Sequence, residues 1–172
     1  MFEADLKECF SRMQNGDKEA FAQIYTMLKQ PVFTIVRRIL QNTELAEDVT
    51  QDIFVKLFVS PPDSSIRNLR AWIFQIARNL AIDTLRKQQR SESCQAEAFT
   101  EDEISSFIVR RDMESAICKL PWDEREILTL HINADLPFHE IAHIVGLSLP
   151  ATYRKYRKAI KTLQKLLDGG TL

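Results

Sequence analysis

The chain has 172 residues, 45% of them hydrophobic, only four glycines and a formal net charge of −1. That length sets one or two small domains, and the near-neutral charge excludes a protein held to nucleic acid by its overall field; any such affinity must come from local patches. Three scattered cysteines, Cys9, Cys94 and Cys118, give neither a disulfide framework nor zinc-ligand spacing, and are expected as reduced thiols in a cytoplasmic protein.

Few glycines and abundant helix formers predict an all-α fold. Helical spacing gives helices over about 4–14 and 18–29, the second capped by Asp17. Pro31 is expected to restart the chain as a separate helix to about 41. Thr43 is expected to cap a helix over 44–59, with Glu44, Glu47 and Asp48 in its first turns, where the helix dipole favours acids. Leu45, Val49, Ile53 and Leu57 point inward there, leaving Asp48, Gln51 and Asp52 on a polar, acid-rich face. A Pro-Pro loop over 60–65 cannot continue the helix.

A long helix follows over about 67–89, with Leu69, Trp72, Ile73, Ile76, Ala77, Leu80 and Leu85 on its apolar stripe. Its other side interleaves Arg70, Phe74 and Arg78 with Arg86, Lys87 and Arg90 at the end. Arginines that hold phosphates beside a ring that stacks on exposed bases suit a single strand. The same residues also fit an ordinary amphipathic helix with Trp72 and Phe74 in the core. Residues 91–106 are small, polar and acidic, and read as a flexible linker between two domains, 1–90 and 107–172.

The second domain is expected to hold four helices, over 107–119, 122–132, 137–145 and 149–168, with Met113, Ile117, Ile127, Leu128 and Leu130 among its buried positions. Gly146 ends the third in the left-handed conformation and Ser148 caps the fourth. That is a helix-turn-helix, whose second helix enters the DNA major groove. From Gly146 to Asp168 this stretch carries six basic residues (Arg154, Lys155, Arg157, Lys158, Lys161, Lys165) and one acid. Leu149, Thr152, Tyr156, Ile160 (or Ala159), Leu163 and Leu167 form its inward stripe.

His139-Glu140-Ile141-Ala142-His143 spells H-E-x-x-H, the pattern of a helical zinc hydrolase site. Ile141 and Ala142 are needed for helix packing, and no His or Glu follows to complete the site, so two polar positions on a solvated face are expected instead. No catalytic, metal or cofactor residue is assigned. No apolar run approaches the ~20 residues that span a bilayer. Asp5, Glu8 and Arg12 interrupt any secretory leader, so no membrane insertion is expected.

GDKEAFAQIY, AEDVTQDIFVKLF and RNLRAWIFQIARNLAIDTLRKQQR resemble the first domain of bacterial RNA polymerase sigma factors of the sigma-70 family, in the small extracytoplasmic-function (ECF) group. LPWDEREILTLHINADLPFHEIAHIVGLS resembles that group's second domain. The order and spacing of the four fragments cover nearly all of the chain except the linker. The resemblance implies a factor that binds core RNA polymerase through Asp48, Gln51 and Asp52, then recognises and melts promoter DNA. Asn79 and Asp83 would contact the flipped −10 base, with the 61–66 loop completing the pocket. Arg70, Phe74, Arg78, Arg86 and Lys87 would hold the non-template strand. Ala151, Tyr153, Arg154, Lys155 and Lys158 would read the −35 element. An anti-sigma partner is also implied. Thr152, Tyr153 and Pro150 depart from the family's usual residues, so its −35 preference does not transfer. A helix-turn-helix regulator that works without polymerase is the competing expectation.

Overall fold

The structure, a computed structural model, describes residues 2–62, 66–91 and 108–168. The expected linker over 91–106, the tip of the 61–66 loop and Cys94 therefore lie wholly or largely outside the described residues. The described chain is eight α-helices in sequence: α1 (Phe2–Gln14), α2 (Lys18–Leu40), α3 (Thr43–Val59), α4 (Leu69–Ser91), α5 (Ile108–Cys118), α6 (Trp122–Ile132), α7 (Phe138–Val145) and α8 (Leu149–Asp168). None of them is long and apolar enough to cross a membrane.

Two local expectations are corrected. Pro31 does not start a new helix but lies inside α2. A mid-helix proline costs about 3 kcal/mol. Here Ile24, Leu28, Val32, Ile35, Val36 and Ile39 form one buried stripe running straight through it. Burying each such side chain contributes about 1.5–3 kcal/mol, so the stripe outweighs the break. The cap of α3 is Asn42 rather than Thr43: its Oδ1 accepts from the Leu45 N–H at 2.9 Å. Asn42→Ala should therefore lower the stability of the chain by about 1 kcal/mol, read from urea unfolding followed by far-UV circular dichroism.

Other boundaries fall as the capping chemistry dictates. Asp17 accepts from the N–H groups of Glu19 and Ala20, and Arg12 beside it holds its carboxyl below the ordinary carboxylate value. Asn68 caps α4 by accepting from Ala71 at 3.0 Å. Gly146 sits at φ 71° and ψ 33°, and both its N–H and that of Leu147 donate to the Ala142 carbonyl. A Cβ there would meet nothing within 4 Å, so the constraint at Gly146 is its backbone angle.

α1–α4 pack around a core of Phe10, Ile24, Val32, Ile53, Leu57, Ile73 and Phe74. That core does not stop at α4. It continues into Ile127 and Leu130 of α6, Ala134 and Leu136 of the following turn, and Ile141 and Ile144 of α7. A second cluster joins Ala116, Ile117, Leu120, Leu128, Ala159 and Leu163 of α5, α6 and α8. Met113 and Leu149, expected inside, are 42% and 50% exposed.

Candidate nucleic-acid interface

α8 carries its buried stripe through Thr152, Ala159 and Leu163. Tyr153 and Arg154 stand exposed at its start, and Ala151 is half-buried beside them. Arg157 and Lys161 are exposed on the turns below Arg154, three and seven residues on, so the three cations share one outward face. Arg157 and Lys161 were not among the expected contacts; the helical spacing from Arg154 was the signal that could have found them.

Lys155 and Lys158, expected at the DNA, each make an ion pair within the chain. Lys155 ion-pairs with Asp123 and Lys158 with Glu124, the latter at 2.8 Å. Both acids lie in the first turn of α6. The Lys155 ammonium holds the Asp123 carboxyl below the ordinary range, and Glu124 raises the Lys158 ammonium. Although the Lys158 side chain stays 71% exposed, one turn on from Arg154, the pairs tie the recognition helix to α6. An aromatic chain ties it to α7. Phe138 stacks on His131 with centroids 4.4 Å apart and meets Tyr156 and Tyr153 edge-on at 5.0 and 5.4 Å. The His131 Nδ1 lies 3.0 Å from the Leu136 carbonyl oxygen.

On α4 the expected strand-binding face divides. Asn79, Asp83, Arg86 and Lys87 are exposed, with Asp83 and Arg86 3.8 Å apart as an i,i+3 pair. Phe74 is a correction: it is 0% exposed and packs in the core, so it offers no ring to a base. Its side chain falls on the α4 face shared with Ile73 and Ala77, and burial of a large ring outweighs the solvated position that interleaving with arginines suggested. Arg70 and Arg78 are also turned inward. Arg70 meets Asp135 at 3.5 Å. Arg78 holds both carboxylate oxygens of Glu126, whose own burial pushes its carboxyl up against the lowering effect of Arg78.

Asp48, Gln51 and Asp52 are exposed together along α3, followed on the same helix by exposed Val55, Phe58 and Val59. Phe58 is steadied by an edge-on contact with Phe21 at 4.9 Å. His139 and His143 are exposed one turn apart on α7, and Glu140 is half-buried between them. Among the described residues no third His, Cys, Asp or Glu joins them to make a metal-holding group.

Residues 24–91 match the family model for sigma-70 region 2, and residues 110–163 match that for sigma-70 region 4. The chain belongs to the sigma-70 family. This sigma factor falls in the ECF group with its relatives. It is 26% identical to the ECF RNA polymerase sigma factor SigW of Bacillus subtilis (strain 168), over 94% of this chain and 96% of that one. It is 25% identical to SigK of Mycobacterium bovis (strain BCG / Pasteur 1173P2), over 96% and 95%. Among solved structures, CnrH in complex with the cytosolic domain of CnrY superposes with a TM-score of 0.70 at 24% identity, covering 97% of this sigma factor and 99% of that chain. The sigma factor RpoE in complex with the anti-sigma factor NepR from Bartonella quintana gives 0.69 at 24% identity, covering 86% and 96%. At these identities the structural likeness shows the fold.

Proposed function

We propose that this sigma factor binds core RNA polymerase, brings it to promoters through a −35 and a −10 element, opens the duplex, and is held in check by an anti-sigma factor. The observation that carries the reading is the coexistence of two separate cationic faces. Arg154, Arg157 and Lys161 lie on the recognition helix of one region, and Arg86 and Lys87 lie on the long helix of the other. Phosphate contacts position a protein on a duplex, while base edges in the major groove specify the sequence. Tyr153 and Ala151, at the N-terminal end of α8, are the residues for the second task. Asn79 and Asp83, exposed one turn apart on α4, take the flipped −10 base.

Residues 1–90 and 107–172 act as two readers on one tether. Each contact alone is weak and salt-sensitive, and linking them raises the effective concentration of the second. The polymerase surface is the α3 face of Asp48, Gln51 and Asp52, whose charge suits a basic partner. The apolar Val55, Phe58 and Val59 extend it with the kind of rim-and-core composition a protein interface needs. The anti-sigma partner is supported by the solved complex of the sigma factor RpoE with the anti-sigma factor NepR.

Co-purification with core polymerase tests the assignment. The unmodified chain should co-elute with core enzyme, and Asp48→Arg should weaken that association about tenfold or more while leaving the helical signal intact. An operator-binding regulator has no use for this face, so equal behaviour of the two proteins, or no association of either, would defeat the reading.

A further inference from the structure

Of the six basic residues on the recognition helix, two are paired with acids of α6. Lys155 Nζ meets Asp123, and Lys158 Nζ lies 2.8 Å from Glu124 Oε1. The acids are adjacent in the first turn of α6, and the lysines are three apart on α8, so one turn of each helix faces the other. The two acids differ in burial. The Asp123 side chain is 41% exposed and that of Glu124 only 3%. The second oxygen of Glu124, Oε2, is buried with no hydrogen-bond partner among the described residues. Leu128, Ala159 and Leu163 join α6 to α8 in one packed cluster, so these pairs lie wholly within the second region.

We propose that Asp123 and Glu124 set the phosphate affinity of the recognition helix, by holding two of its lysines partly neutralised. The proposal rests on the sigma-factor reading only in taking α8 as the DNA-facing helix, and deepens it by naming the residues that limit its grip. An ammonium offers three N–H donors, so a phosphate can still reach Lys158 beside Glu124. That phosphate then sits within about 6 Å of a carboxylate of its own sign of charge. Drawing Lys158 away instead leaves Glu124 buried without a counter-charge, which is the costly state. Either route weakens the contact. Asp123 is open to water, which can replace Lys155 there, so its restraint is the milder of the two.

The acids act on the sequence-independent part of binding. A phosphate contact from a lysine strengthens binding to every duplex alike and steepens its salt dependence. Promoter elements compete with all other duplex, and affinity for phosphate alone favours none of it. The outward face keeps Arg154, Arg157 and Lys161 for phosphate. Restraining the other two cations leaves base reading by Ala151 and Tyr153 a larger share of the total.

The test is fluorescence anisotropy of a labelled mixed-sequence duplex, about 30 base pairs long, titrated with the full-length chain over a range of salt. Glu124→Gln keeps the shape of the side chain and removes its charge. It should tighten binding at ~0.1 M salt by about tenfold and steepen the slope of log affinity against log salt by about one. Asp123→Asn should act in the same direction and less. Adding Lys158→Ala to Glu124→Gln should abolish the gain, an outcome that a merely structural role for Glu124 would not produce. Glu19→Gln, at an exposed position on α2, makes the same change in net charge and should leave both quantities nearly unchanged. If Glu124→Gln loses helicity, the more exposed Asp123→Asn carries the test, with Lys155→Ala as its partner control. A folded variant with the parent's affinity and slope, a gain that survives loss of the paired lysine, or an equal gain with Glu19→Gln overturns the proposal. No polymerase or promoter enters the measurement, so this failure is distinct from failure of the sigma-factor assignment.

Discussion

Phe74→Ala should lower the stability of the chain by about 3–5 kcal/mol, the range for removing a fully buried aromatic ring. Phe74 is among the largest fully buried side chains, at 0% exposure, and it packs beside Ile73 and Ala77 in the core shared with α2 and α3. Urea unfolding followed by circular dichroism reads the change. Phe74→Leu should cost much less, because most of the volume is kept. The contrast matters for function. If Phe74 stacked on a DNA base, alanine there would weaken promoter opening and leave stability almost untouched. A Phe74→Ala protein that unfolds within about 1 kcal/mol of the parent would mean the ring lies outside the core.

The second large effect is expected on α8. Arg154→Glu with Arg157→Glu should weaken binding of the polymerase-bound factor to a promoter fragment, uniformly across −35 sequences, and reduce the slope of log affinity against log salt by about two. Lys155→Ala should leave that slope nearly unchanged, because Lys155 is engaged with Asp123 and its loss loosens the packing of α8 on α6. Salt titration of DNA binding separates the two. A full salt-slope loss on Lys155→Ala, with none on the arginine pair, would reverse the assignment of the outward face.

Much of this was legible in the residues. Gly146 and Ser148 carried the helix-turn-helix, since a left-handed glycine and a following hydroxyl cap leave few other ways to turn the chain. Asp17 marked the start of α2, and the stripe of Val49, Ile53 and Leu57 marked the inner face of α3. Pro31 misled because its local penalty is easy to read, while the tertiary burial that offsets it is spread over six residues of the same helix. Phe74 misled for a related reason: α4 is buried on more than one side, by α2 and α3 and by α7, so a simple two-faced reading of its helical wheel assigns the wrong face.

The lysines of α8 show the other limit. Periodicity placed Lys155 and Lys158 on the helix surface, but nothing local shows that Asp123 and Glu124 stand opposite them. Those acids are some thirty residues earlier, and only the packing of α6 on α8 brings the charges together. The arginines of α2 and α4 that pair with acids of α5 and α6 were hidden in the same way. Arg78 and Glu126 are separated by 48 residues, and each alone reads as an ordinary helix charge.

The most direct measurement is transcription from fragmented genomic DNA by purified core polymerase, with and without this chain, mapping the 5′ ends of the RNA. The account predicts discrete new starts that appear only when the chain is added, preceded by a shared pair of upstream elements, and absent with Asp48→Arg. An unchanged set of 5′ ends, from a chain shown to be folded, would contradict it.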